Sequence, residues 1–299
     1  MLPNLMTHDL SANTARPRDH VLTLLISAPD RPGLVAGVAG TLYEHDANIL
    51  EADQHDDQGT GMFFQRIQFV MAAQDVPRLR AAMDDLGQRL GLDWAMRDRG
   101  DLRKVAIYVS REDHCLYDLL VRHRSGELPC EIRLIVSNHD LLAPVAAQFG
   151  VPFHLVPFTD DTVVEAEAIQ QQLLTAANID LIVLARYMRI LSPAFVDHWQ
   201  GRSINIHHSF LPAFVGARPY HQAHERGVKL IGATAHYVTT VLDDGPIIDQ
   251  DVSRASHRDS VEDLIRRGRD VERTVLARAV RWHLEDRVLI QGNRTVVFR

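Results

Sequence analysis

The chain has 299 residues, of which 46% are hydrophobic and 24% charged. That is enough apolar material for two cores at about 150 residues per domain, and it excludes a wholly disordered chain. The net charge is −7, from 39 acidic and 32 basic side chains, with no basic block. This argues against a nucleic-acid or membrane-surface binder. Cys115 and Cys130 are the only cysteines, too few for a disulfide framework, and they fit a reducing cytoplasm. No apolar run reaches the ~18 residues of a membrane span. The first 19 residues are polar and lack a signal-peptide core, so they read as a loose tail. The expectation is a soluble, cytoplasmic protein.

In chain order, His20–Ser27 reads as a strand, followed by the turn Pro29-Asp30-Arg31-Pro32-Gly33. Leu34, Val35, Val38, Leu42 and Tyr43 predict an amphipathic helix over 33–46. Strands over 47–55 and 62–72 flank the hairpin turn Asp57–Gly61, a helix covers 76–90, and Leu92–Met96 supplies a last strand. The order β-α-β-β-α-β is the ferredoxin-like pattern, giving an α+β domain over 20–99. The charged stretch 97–101 (RDRGD) marks the boundary, and a second domain runs over 103–299.

There the rhythm changes to near-continuous apolar strands at 104–110, 131–137, 153–156, 180–185 and 203–207. They alternate with helices at 113–124, 140–149 and 162–177. Further strands fall at 231–239 and 247–252, a long helix at 259–285 and a hairpin at 287–298. This predicts a Rossmann-like, mostly parallel sheet covered on both faces. Ligands of such sheets sit beyond the carboxyl ends of the strands.

Three segments at those ends carry candidate chemistry. In Asn205–Pro212 (NIHHSFLP), period two puts Asn205 and His207 on one face. An amide that donates to an oxyanion beside an imidazole that moves a proton suits acyl transfer. His208 falls on the opposite side if the strand continues, and reads as structural. In Val241–Pro246 (VLDDGP) a carboxylate is available to orient His207, although Asp-Asp-Gly-Pro is also simply turn-forming. Arg186–Leu191 (RYMRIL) offers apolar side chains and backbone groups to a flat heterocycle, with core packing as the alternative for Met188, Ile190 and Leu191. A metal reading for His207-His208, His221 with His224, and His236 lacks any cysteine cluster or HExxH pattern, so no metal is expected. The basic clusters 122–124 and 266–269 read as solvated helix faces.

Tyr187–Val196, Asn205–Pro212 and Gly232–Gln250 resemble the folate-dependent formyltransferases, which include glycinamide ribonucleotide transformylase. The Asp30–Gly33 turn followed by Asn48-Ile49 resembles an ACT domain. The two together, with the run His208–Thr239, resemble the formyltetrahydrofolate deformylase family over about residues 20–290. The resemblance implies Asn205, His207 and Asp243 as the catalytic set. It implies a pterin held by Arg186, Tyr187, Met188, Ile190, Leu191 and Val238, and 10-formyltetrahydrofolate as substrate with no cofactor. It also implies a homo-oligomer, dimer or tetramer, with an amino-acid effector near Asp30, Gly33 and Asn48. One departure from the transformylases stands out. Their glycine-rich phosphate loop is replaced by Ser110–Leu116 (SREDHCL), without glycine and with two acids. Water is then the expected acceptor, and transfer to a non-phosphorylated amine is the alternative. A folate or amino-acid sensor with a dead catalytic domain is disfavoured, because all three catalytic candidates are present.

Overall fold

The computed structural model describes residues 19–213 and 219–299. The expected loose tail, apart from Asp19, and the stretch 214–218 within the resembling run lie outside the described residues. The chain divides into two compact units between Asp101 and Leu102.

The first unit follows β1 (Asp19–Pro29), α1 (Leu34–Glu44), β2 (Asn48–Asp57), β3 (Met62–Ala72), α2 (Val76–Leu90) and β4 (Asp93–Asp98). Its sheet is antiparallel in the order β2-β3-β1-β4. Period-two side chains such as Leu22, Leu24 and Ile26 meet the 3.6-period stripes Leu34-Val38-Leu42 and Leu79-Met83-Leu86 in one core. This is the ferredoxin-like α+β unit expected from the pattern.

The second unit is built on a seven-stranded sheet. Its strands are β5 (Arg103–Val109), β6 (Cys130–Ser137), β7 (Phe153–Leu155), β8 (Leu181–Leu184), β9 (Ser203–His207), β10 (Leu230–Tyr237) and β11 (Ile247–Arg254). The order is β11-β10-β9-β8-β5-β6-β7, parallel from β9 to β7 and antiparallel at β10 and β11. The central strands are buried on both faces, which is why they carry no polar alternation. Val105, Ile107 and Val109 of β5 face one core, packed under α3 (His114–Arg124), α4 (Ala143–Phe149) and α8 (Val261–Leu284). Ala106 and Tyr108 face the other, under α5 (Val163–Ala176) and α6 (Pro193–His198). A short α7 (Pro219–Glu225) and a terminal hairpin, β12 (Val288–Gln291) with β13 (Arg294–Val297), complete the unit. From β5 the chain steps outward to β6 and β7, then returns to the other side of β5 as β8 and β9. The carboxyl ends of β5, β8 and β9 therefore surround a topological switch point. No helix among the described residues is long and apolar enough to cross a membrane.

Candidate active site

A pocket of about 270 Å³ opens beyond the carboxyl ends of β8 and β9. Asn205, His207 and Asp243 line it together, as do Arg186, Tyr187, Met188, Ile190, Leu191 and Val238. Asn205 and His207 share a strand face, as period two requires. β10 ends at Tyr237 rather than at the expected Thr239, and Val238–Thr240 peel away to form one wall.

Asp243 reaches the pocket through a tight turn. Its backbone is left-handed, with φ of 57°. Two residues on, Gly245 packs so closely that an added Cβ would stand 1.7 Å from the carbonyl oxygen of Tyr237. Any side chain there would push the turn away. The turn-forming reading of Asp-Asp-Gly-Pro and the carboxylate reading thus describe one feature.

The Asp243 carboxylate lies 3.2 Å from Nδ1 of His207. Burial pushes its carboxyl up, but the hydrogen bond and charge of His207, with His236 and His208 nearby, hold it below the usual range. Nε2 of His207 is buried and has no hydrogen-bond partner among the described residues. It is the nitrogen left for a ligand.

His236, first considered as a metal ligand, has a different place. Its Nδ1 lies 2.9 Å from the carbonyl of Tyr237, so that nitrogen carries the proton. Nε2 is left to accept from Nδ2 of Asn205 at 3.2 Å. Burial pushes the His236 imidazole down, so it stays neutral. It fixes the Asn205 amide, and among the described residues the second N–H of Nδ2 has no partner.

The apolar wall is clamped from beneath. Met188 N–H donates to Oγ of Ser110 at 2.9 Å, and that hydroxyl donates to Asn138. Both Ser192 N–H and its hydroxyl donate to the buried Glu167, and the Tyr187 hydroxyl accepts from Gln170 at 3.2 Å. The sequence reading missed these residues, although Glu167 and Gln170 are polar members of the buried stripe of α5. Met188 and Ile190 are 57% and 69% exposed, so core packing does not explain them, whereas Leu191 is buried. Large apolar side chains standing in solvent at a pocket mouth mark a contact surface.

Arg186, also left-handed at φ 65°, turns its guanidinium to Glu272 of α8 at 3.4 Å. Glu272 is buried, and it accepts from the Tyr220 hydroxyl at 2.6 Å and pairs with His114 at 2.8 Å. Burial would raise its carboxyl, yet these partners bring it down to about 2. His114, Cys115 and Glu272 are the compact group of potential metal ligands among the described residues. None of the histidines suggested by sequence belongs to it. The group fits an ion poorly: Glu272 is already matched by Arg186 and His114, and burial pushes the Cys115 thiol well up, away from the ligating thiolate.

In the first unit, Asp30, Gly33 and Asn48 are all exposed but not gathered. Asp30 N–H donates to Gly61 at one end of the sheet. Asn48 pairs with Val70, and Val70 with Val21, at the other. The eight residue steps from Val21 to Pro29 separate them by about 26 Å of strand. Within one chain the three do not make one pocket.

Two family models match the chain, one described as formyl transferase over residues 103–280 and one as ACT domain over 22–91. The formyltetrahydrofolate deformylase of Synechocystis sp. is 53% identical over 278 residues, covering 92% of this chain and 98% of that protein. The chain belongs to the formyltetrahydrofolate deformylase family. The family member of Escherichia coli K12 is 44% identical, over 90% of this chain and 95% of its own. The crystal structure of a formyltetrahydrofolate deformylase from Pseudomonas syringae superposes with a TM-score of 0.90 at 46% identity, covering 94% of this chain and 95% of that one. Glycinamide ribonucleotide transformylase 1 from Symbiobacterium toebii reaches a TM-score of 0.63 at 30% identity, covering 68% of this chain and 97% of that one. The deformylase likeness thus spans both units of this family member.

Proposed function

We propose that the chain hydrolyses 10-formyltetrahydrofolate to formate and tetrahydrofolate at the Asn205–His207–Asp243 site. The observation that carries the reading is a polar set, with His207 Nε2 unpartnered among the described residues, lining one pocket with the apolar side chains of Met188, Ile190, Leu191 and Val238. The pterin lies along Arg186–Leu191 and Val238, and the formyl group faces Asn205 and His207. Water attacks the formyl carbon, forming the C–O bond of a tetrahedral intermediate. The free N–H of Asn205 and protonated His207 stabilise its oxyanion. The C–N10 bond then breaks, and a proton relayed through Asp243 and His207 ends on N10. Water is the acceptor because the turn after β5 offers no anion cradle: Glu112 stands there, paired with Arg269 at 2.6 Å.

The second domain, 103–299, carries the chemistry. The ACT domain, 20–99, builds a homo-oligomer and responds to a small amino acid. Its edge strand β2 exposes Ile49 and Leu50, at 39% and 42%, and this supports pairing with a second copy. Because Asp30–Gly33 and Asn48 are far apart within a chain, an effector touching both would lie between chains.

The decisive experiment incubates purified protein with 10-formyltetrahydrofolate without an amine, following formate and tetrahydrofolate together. Equal rates of both, lost in Asp243→Asn, support hydrolysis. Turnover only on adding an amine would make the protein a transferase.

A further inference from the structure

β9 ends at His207, and the next residue leaves the ladder. The continuing strand assumed from sequence would have sent His208 to the far side. Instead His208 lines both the pocket that holds Asn205, His207 and Asp243 and a second one beside it that Tyr220 lines. Its centroid lies 5.2 Å from that of His207 and 6.1 Å from that of Tyr220. Tyr220 is fixed by its hydrogen bond to Glu272, so the His208 ring has a rigid backing.

Several of the surrounding polar atoms are committed, although Nε2 of His207 is not. His207 Nδ1 faces Asp243, and both nitrogens of His236 are engaged. No described residue hydrogen-bonds either ring nitrogen of His208. Burial brings this imidazole down to about 3, with the Arg186 charge adding to the effect, so it is neutral at working pH. A neutral ring offers one N–H and one lone pair. An imidazole whose nitrogens no described residue takes, lining the pocket beside the His207–Asp243 pair, can hold a small polar partner.

We propose that His208 holds the attacking water, accepting a hydrogen bond from it so that the water's lone pair is aimed at the formyl carbon. The inference rests on the hydrolytic reading above. Electron balance is that of simple hydrolysis: the water oxygen forms the new C–O bond and the C–N10 pair leaves with nitrogen. One water proton ends on N10 through the Asp243–His207 pair. His208 is too weak a base to keep that proton; its contribution is orientation. An amine nucleophile, whose nitrogen attacks unaided, has no use for it.

The test uses the full chain, wild type and His208→Ala, His208→Phe and His208→Gln, with 10-formyltetrahydrofolate, with and without hydroxylamine. Formate, N-formylhydroxylamine and tetrahydrofolate are all measured. Misaiming the water in the Ala and Phe variants is expected to lower kcat for formate by about 10- to 100-fold. KM for the folate should stay within about twofold, because the pterin wall is untouched. Gln, which keeps an acceptor, should recover part of the rate. In the Ala and Phe variants the ratio of N-formylhydroxylamine to formate should rise well above wild type. Full formate activity in Phe with loss in Ala would mean that the ring only packs, and overturns the proposal. So would an unchanged product ratio in both. If wild type itself releases no formate, the hydrolytic reading fails together with the inference. If wild type is active and His208→Ala matches it, the inference fails alone.

Discussion

Removing the Asn205 amide tests the oxyanion role most directly, because an oxyanion donor is worth a few kcal/mol in the barrier. Asn205→Ala is expected to lower kcat by at least about 10²-fold with a smaller change in KM, read from formate release. His236 acts on the same step at one remove. Without its Nε2, Asn205 loses the partner at 3.2 Å that sets its amide. His236→Phe should therefore lower kcat by less than Asn205→Ala, and the double variant should fall short of the product of the two effects. Glu272 is a matter of stability and of holding Arg186. Its folded-state value of about 2 lies below the ordinary value of 4.5. A depressed carboxyl contributes stability above its unfolded value and loses it as pH falls through the folded one. That contribution, about 3 kcal/mol, should disappear between about pH 4.5 and 2. Urea unfolding of Glu272→Gln should show a flatter pH dependence in that window. A steeper one would contradict the assignment of its partners.

Two elements carry glycines whose packing, not flexibility, fixes the site. Gly268 lies inside α8, where alanine would ordinarily stabilise a helix by about 1 kcal/mol. Here an added Cβ would meet the Tyr220 hydroxyl at 2.0 Å. Gly268→Ala should instead destabilise by about 1–3 kcal/mol in chemical denaturation, through overpacking and the displaced Tyr220–Glu272 bond. Gly245→Ala, by displacing the turn that presents Asp243, should reduce kcat nearly as far as loss of the carboxylate while the fold persists by circular dichroism. The element pattern itself was legible: α2 runs over the residues its periodicity predicts, and β9 over Ser203–His207. α6 and α7 were not, because six and seven residues complete barely two turns and show no clear period. The helix expected over 140–149 begins only at Ala143, with Pro144 in its first turn.

At the scale of the whole molecule, the two units make separable predictions. If the ACT domain builds the oligomer, sedimentation at micromolar concentration should give a dimer or tetramer. Ile49→Lys with Leu50→Lys on the exposed edge strand should shift it toward monomer. A wild-type monomer would defeat that reading and leave the chemistry of the second unit untouched.

The sequence by itself determined the two-unit order and the parallel core, since apolar periodicity is a local property of the chain. It also offered Asn205 and His207 at the end of a strand and a carboxylate in the LDDGP turn, while the choice of Asp243 came from the family resemblance. Tertiary structure alone decided what joins them. Tyr220 and Glu272 are 52 residues apart and His114 and Glu272 are 158 apart, distances over which no local pattern speaks. The same holds for the clamp of Ser110, Glu167 and Gln170 beneath the pocket wall, and for the role of His236. His208 shows the limit most plainly. Alternation along a strand is a rule only while the ladder lasts, and where the ladder stops at His207 the backbone bend, not the period, decides which way the next side chain faces.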